Sequence, residues 1–270
     1  ERNIRHGVDG IFILGSMGEW ACFDAAFRDR LVAESVRAVA GRAELLVGIT
    51  DVSTEAALEN LRRAAEYAFD SFVFMLPKAD VADPVRDVCR VLDAADRPVY
   101  YYHCPPNNGI NLSLAQFEAI LSHPNLKGIK NSASNMWLRR ELLLLKAERG
   151  FGAALLEGQE WAADEALLVG YDGMLCGMGA LGSAFMVGIA RAVDAGEVAE
   201  AVRLQNRFIK LFHGVYGTDL STVWVGQKYA LKCLGLCASE RTLAQRMEAL
   251  TETRKREIEA CVEAFREELE

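Results

Sequence analysis

Lys130 closes a short apolar run at residues 126–130, and Tyr102 stands near the end of an earlier one at residues 98–104. One helical segment separates the two runs. In a chain that alternates strand and helix, this spacing places an amine and a phenol at the same ends of neighbouring strands. An amine there can attack a carbonyl to form an imine, and a phenol beside it can carry the protons. A lysine at the end of an apolar strand is partly desolvated, which frees the lone pair that the attack needs. The ordinary rival is a surface lysine that begins a loop and pairs with a carboxylate. Strand alternation puts Tyr100 and Tyr102 on one face and Tyr101 and His103 on the other. An aromatic core set is the rival reading for these tyrosines, and His103 is read as a packing or hydrogen-bonded histidine.

The segment Leu14-Gly15-Ser16-Met17-Gly18-Glu19 is a glycine-bracketed turn between a strand and a helix. Glycines let backbone approach an anion, and successive N–H groups there can receive a carboxylate or phosphate. Alone it is a weak signal, as is the similar strand end Gly173-Met174-Leu175-Cys176-Gly177-Met178-Gly179. Gly128 permits close approach of backbone or ligand beside Lys130.

The elements that must hold these residues repeat as strand then helix. Apolar runs recur at residues 10–14, 44–49, 71–76, 98–104, 127–130, 153–156 and 173–176. Asp83-Pro84 reads as a cap followed by proline in the first turn, and Ser113 to Gln116 as a capping box. Gly41 and Gly150 fall where helices should stop. Parallel strands with crossovers follow, in a (β/α)8 barrel or an open doubly wound sheet. An eight-stranded barrel needs one more strand, expected upstream of Glu1, because the helical fragment at residues 2–6 leads straight into the first run. Beyond residue 185 the strands stop. Residues 185–194, 198–216, 221–234 and 243–269 carry helical patterns. The expected organisation is a (β/α) barrel region at 1–185, lacking its first strand, and an appended helical region at 186–270.

The chain has 270 residues, 51% hydrophobic and 25% charged, enough for a well-buried core. A net charge of −8 with no basic patch among aromatics argues against nucleic acid and anionic membrane. No apolar stretch approaches the ~20 residues of a membrane span. The seven cysteines are scattered and odd in number. Cys233 and Cys237 are four apart in a helical pattern, with no second pair or histidines to complete a zinc site. The cysteines read as buried free thiols in a reducing cytoplasm, and a lysine that activates the carbonyl itself needs no metal or organic cofactor.

Taken in order, Gly15-Ser16-Met17-Gly18-Glu19, Tyr102-His103-Cys104-Pro105 with Gly109, and Gly128-Ile129-Lys130 carry a resemblance. The chain resembles the N-acetylneuraminate lyase and dihydrodipicolinate synthase family of Schiff-base aldolases, over essentially its whole length. The resemblance implies a (β/α)8 TIM barrel with a C-terminal helical extension, a homotetramer, and a site at the strand C-terminal ends. It implies a small-molecule 2-oxo acid as the partner, joined to Lys130 as an imine, with Tyr102 as proton carrier. Gly15, Ser16 and the backbone at Met17 would hold the carboxylate, and Ser132, Glu160 and Cys176 would contact the rest of the substrate. There are departures. Met17 follows Ser16 where the family has two hydroxyl residues. Asn107 replaces an arginine of the synthase branch. Lys78-Ala79 follow Pro77 where a tyrosine supplied across a subunit interface is common, and Glu160-Trp161 replace an Asp-Glu pair of the sialic acid lyases. These point away from both named activities and toward cleavage of another 2-oxo acid to pyruvate and an aldehyde. Dehydration through the same imine, a synthase-like condensation, and a non-catalytic 2-oxo acid binding barrel are the alternatives.

Overall fold

In a computed structural model, which describes residues 1–79 and 81–270, the chain divides into two compact units. One comprises Asp9–Gln159 and Glu165–Cys176, and the other Glu1–Val8, Glu160–Asp164 and Gly177–Glu270.

The first unit contains every strand among the described residues: β1 (Gly10–Ile13), β2 (Glu44–Gly48), β3 (Ser71–Phe74), β4 (Val99–His103), β5 (Leu126–Asn131), β6 (Ala154–Glu157) and β7 (Gly173–Met174). They form one parallel sheet in the order of the sequence. Helix α1 (Arg2–His6) precedes them. Between them run α2 (Ala25–Val39), α3 (Thr54–Ala65), α4 (Pro84–Ala94), α5 (Pro105–Asn108), α6 (Leu114–Leu121), α7 (Met136–Arg149) and α8 (Ala163–Leu168). This is the TIM-barrel strand–helix alternation that the sequence implies, with seven of its strands in hand.

Both sheet faces are apolar. Leu45, Val47, Phe72, Phe74, Tyr101, Ile129 and Leu155 pack with helix residues such as Val32, Leu61, Val88, Phe117 and Leu142. The opposite face carries Leu46, Val73, Met75, Tyr100 and Tyr102, with Phe12 and Leu156 against them. The alternation expected within β4 therefore holds, with Tyr101 on the helix side and Tyr100 and Tyr102 away from it. Local chemistry starts the helices: the Asp83 side chain accepts from Arg86 N–H, Ser113 and Gln116 form the capping box, and Asn135 caps α7. Gly150 ends α7 in the left-handed conformation, but α2 ends one residue before Gly41, at a left-handed Ala40.

The second unit holds α1 with α9 (Gly179–Asp194), α10 (Val198–Tyr216), α11 (Val223–Cys233), α12 (Glu252–Ala264) and α13 (Arg266–Leu269). Two helical expectations need correction. Helix α9 starts six residues earlier than its apolar pattern, across a kink at Gly182 (φ −104°, ψ 33°), where a side chain would meet the Phe208 ring at 3.0 Å. The stretch at 243–269 is not one helix. A 3-10 turn at Met247–Ala249 comes first; the α-helix begins at Glu252, where the Thr251 side chain accepts from Arg254 N–H, and breaks at Phe265. The buried Arg2 guanidinium ties this unit together by donating to the carbonyls of Leu269, Ala180 and Leu181.

The cysteines also depart from expectation. All seven are free thiols, but only Cys104 is buried, and Cys237 lies beyond the end of α11. No helix among the described residues is long and apolar enough to cross a membrane.

Candidate active site

Strand register brings Tyr102 of β4 opposite Lys130 of β5, at the C-terminal ends of both strands. Each is buried, 7% and 6% exposed respectively. The Lys130 Nζ lies 4.1 Å from the centroid of the Tyr102 ring and 5.5 Å from that of Phe12. Among the described residues the amine makes no hydrogen bond or ion pair. The rival reading of a loop lysine paired with a carboxylate is thus not what the chain builds. Burial raises the pKa of the Tyr102 phenol, while the charge of Lys130 and a hydrogen bond with Ser16 pull it down. Tyr100, one turn of the pleat below, is pushed up to about 12 by burial.

The turn after β1 carries Gly15, Ser16 and Met17. Its left-handed residues are Leu14 and Glu19 rather than the two glycines. Gly15 is required by contact instead, since a Cβ there would lie 2.7 Å from the Phe12 ring. The Ser16 hydroxyl accepts from the Asn107 side-chain amide at 2.9 Å. Gly128 likewise makes room: a Cβ would meet the Ala154 carbonyl at 2.6 Å and the Tyr100 ring at 2.8 Å.

Ser132, just past β5, is buried, and its hydroxyl has no hydrogen-bond partner among the described residues. Its carbonyl accepts from the Gln159 side-chain amide at 2.9 Å. Beside it is a residue that the sequence reading missed. A Cβ on Gly158 would stand 1.9 Å from Ser132 Oγ and 2.9 Å from Lys130 Cε. The turn that carries Gly158 is held by Glu157, whose Oε1 accepts from the N–H groups of Gly158 and Gln159 at 3.0 Å each. Glu157 Oε2 pairs with Arg139 of α7 at 2.8 Å, so this carboxylate is directed to the helix layer. Burial raises its pKa, and Arg139 opposes that shift. The only advance signal for Gly158 was a glycine directly after the strand that neighbours Lys130.

His103 is fully buried, set edge-on to Phe117 at 4.9 Å, and neither ring nitrogen has a partner among the described residues. It is a packing histidine, and burial lowers its pKa to about 4. The remaining positions singled out from sequence lie as follows. Cys176 is half-buried just beyond β7 in the strand-bearing unit. Glu160 and Trp161 belong to the helical unit. There the Glu160 carboxylate accepts from Met178 N–H at 2.8 Å, and Trp161, 44% exposed, packs edge-on to Phe212.

A buried amine set against a phenol, without a polar partner among the described residues, stands beside the Ser132 hydroxyl. Residues 1–265 fit the description "Dihydrodipicolinate synthetase family". The chain belongs to that family. It is 28% identical, over 93% of its own length and 84% of the relative's, to the probable 2-dehydro-3-deoxy-D-pentonate aldolase YjhH of Escherichia coli K12. It is 27% identical to the 4-hydroxy-tetrahydrodipicolinate synthase of Xanthomonas campestris pv. campestris, over 92% and 85% of the two chains. Among solved structures it is similar in fold to YagE of E. coli K12, a family member crystallised with pyruvate (TM-score 0.86, 24% identity, 98% and 89% of the chains). It is also similar to the dihydrodipicolinate synthase of Thermotoga maritima (TM-score 0.88, 19% identity, 97% and 89%). Within the family frame, Lys130 and Tyr102 stand on adjacent strands at the end where such barrels carry their sites.

Proposed function

We propose that this family member is a lyase that cleaves a 2-oxo acid to pyruvate and an aldehyde through an imine on Lys130. The observation that carries the reading is the buried Lys130 amine, without an ionic partner among the described residues and 4.1 Å from the Tyr102 ring centroid. In this reaction Nζ adds to C2 of the 2-oxo acid, water leaves, and the iminium becomes the electron sink. Tyr102 takes the proton of the C4 hydroxyl as the C3–C4 bond breaks, and the electron pair passes into the enamine of pyruvate. Protonation at C3 and hydrolysis of the iminium then release pyruvate. The turn at Gly15, Ser16 and Met17 holds the carboxylate through its backbone N–H groups, and Ser132 and Cys176 contact the rest of the substrate. The Ser132 hydroxyl beside Lys130, without a hydrogen-bond partner among the described residues, supports such a contact. A 2-dehydro-3-deoxy sugar acid is the substrate class favoured by the pentonate aldolase among the relatives.

The test uses pyruvate and borohydride, followed by peptide mass spectrometry. A reduced pyruvyl adduct on Lys130, absent in Lys130→Ala, is expected. Folded wild-type protein that yields no adduct would overturn the reading. Once an active 2-oxo acid is found, product analysis separates cleavage, which frees an aldehyde, from dehydration, which keeps the carbon chain whole.

A further inference from the structure

Ser16 lies between two side chains of one continuous segment, β4 to α5. Tyr102 precedes it on the strand side, and Asn107 reaches back from α5 to place its Nδ2 2.9 Å from Ser16 Oγ. An amide N–H can only donate, so the Ser16 oxygen accepts there. The hydroxyl's single proton is left for another acceptor, and the Tyr102 oxygen is a hydrogen-bond neighbour of Ser16.

Asn107 is exposed, yet its backbone is firmly set. Its N–H donates to Cys104 carbonyl at 2.9 Å, and Gly109, left-handed at φ 76°, closes the single turn onto Pro105 carbonyl at 2.7 Å. The neighbouring Asn108 side chain donates to Leu76 carbonyl at 2.9 Å, just past β3. The amide therefore points at Ser16 from a turn anchored on two strands.

We propose that Asn107 is a positioning residue: by donating to Ser16 Oγ, it directs the Ser16 hydroxyl proton onto the Tyr102 oxygen and so prepares Tyr102 as the base of the imine site. The use made of Tyr102 rests on the reading above, whereas the hydrogen-bond arrangement does not. The groups around the phenol are few. Lys130 approaches from β5, and Cys104, just past β4, hydrogen-bonds the phenol and opposes Lys130 and Ser16 by raising its pKa; Tyr100 is the other titratable member of the same apolar cluster, whose residues Phe12, Val73 and Met75 carry none. A hydroxyl that donates to the phenol oxygen favours the phenolate, in the same sense as Lys130.

The arrangement is read out by NMR titration of protein labelled at tyrosine Cζ, with Tyr102→Phe assigning the signal among the seven tyrosines. The pH range is that over which circular dichroism shows the fold intact. Asn107→Ala should raise the Tyr102 midpoint by up to about one pH unit, the scale of one lost hydrogen bond between neutral groups. Ser16→Ala should raise it at least as far, and the double variant no further than Ser16→Ala alone. In Asn107→Asp the carboxylate accepts the Ser16 proton instead, so the midpoint should exceed that of Asn107→Ala. An unmoved midpoint in Asn107→Ala, or shifts that add in the double variant, would overturn the proposal. Borohydride trapping with pyruvate on the same samples keeps the two readings apart. Trapping with an unmoved midpoint defeats only the role of Asn107, and a moved midpoint without trapping defeats only the imine.

Discussion

Gly158 decides how much room the lysine has. The Cβ that every other residue carries would overlap Ser132 Oγ and press on Lys130 Cε, so the turn after β6 excludes side chains by contact and not by backbone strain. Gly158→Ala must therefore displace Ser132, Lys130 or both. A displacement near 1 Å of a reacting group costs about 100-fold in rate. Formation of the trappable pyruvyl adduct should slow on that scale in Gly158→Ala. Adding Ser132→Ala removes the shorter of the two overlaps and should recover part of the rate. An adduct rate equal to wild type in Gly158→Ala would show that the space is not needed.

That turn is in turn held by an ion pair between elements. Arg139 on α7 and Glu157 at the end of β6 are both nearly inaccessible, and Glu157 also gathers the N–H groups of the Gly158 turn. Helix α7 is placed by its Asn135 cap and by Leu142 and Leu145 in the core, so the guanidinium arrives in a fixed position. Removing one partner of such a pair leaves a buried charge without compensation, at a cost of about 3–5 kcal/mol. Arg139→Met should lower stability to urea by that order and also slow adduct formation at Lys130, because the Gly158 turn loses its anchor. A stability loss with an unchanged adduct rate would confine the pair to holding the helix.

For the molecule as a whole, His103 couples stability to pH. In the unfolded chain its imidazole takes up a proton below about 6.5, while in the folded state burial delays this to about 4. Between these values the unfolded state binds more protons, so stability rises with pH across the window and is lost as the pH falls through it. The full loss amounts to about 3 kcal/mol. Urea unfolding at pH 7 and pH 4.5 should show a steeper loss for the wild type than for His103→Leu, which has no proton to gain. Equal losses in the two proteins would assign the acid sensitivity to other groups.

The order of strands and helices, and the end of the sheet at which Tyr102 and Lys130 meet, were legible from the chain because they rest on local causes. Apolar runs, period-2 alternation and caps such as Asp83 and Ser113 act over a few residues. Where local causes compete, the reading slipped. The apolar and charged pattern at 243–269 looked continuous, yet Thr251 starts the helix late and Phe265 ends it. The thiols were expected to be buried because their runs are apolar, but burial depends on which face a neighbour covers, and only Cys104 is fully covered. The contacts that shape the site could not be read in advance. Asn107 and Ser16 are 91 residues apart in sequence. Gly158 meets Lys130 only because β6 pairs with β5 in the register that sets Leu156 against Lys130. Pattern along a chain reports which face a side chain takes, whereas its neighbours follow from the register and packing of distant segments, which exist only once the sheet has formed.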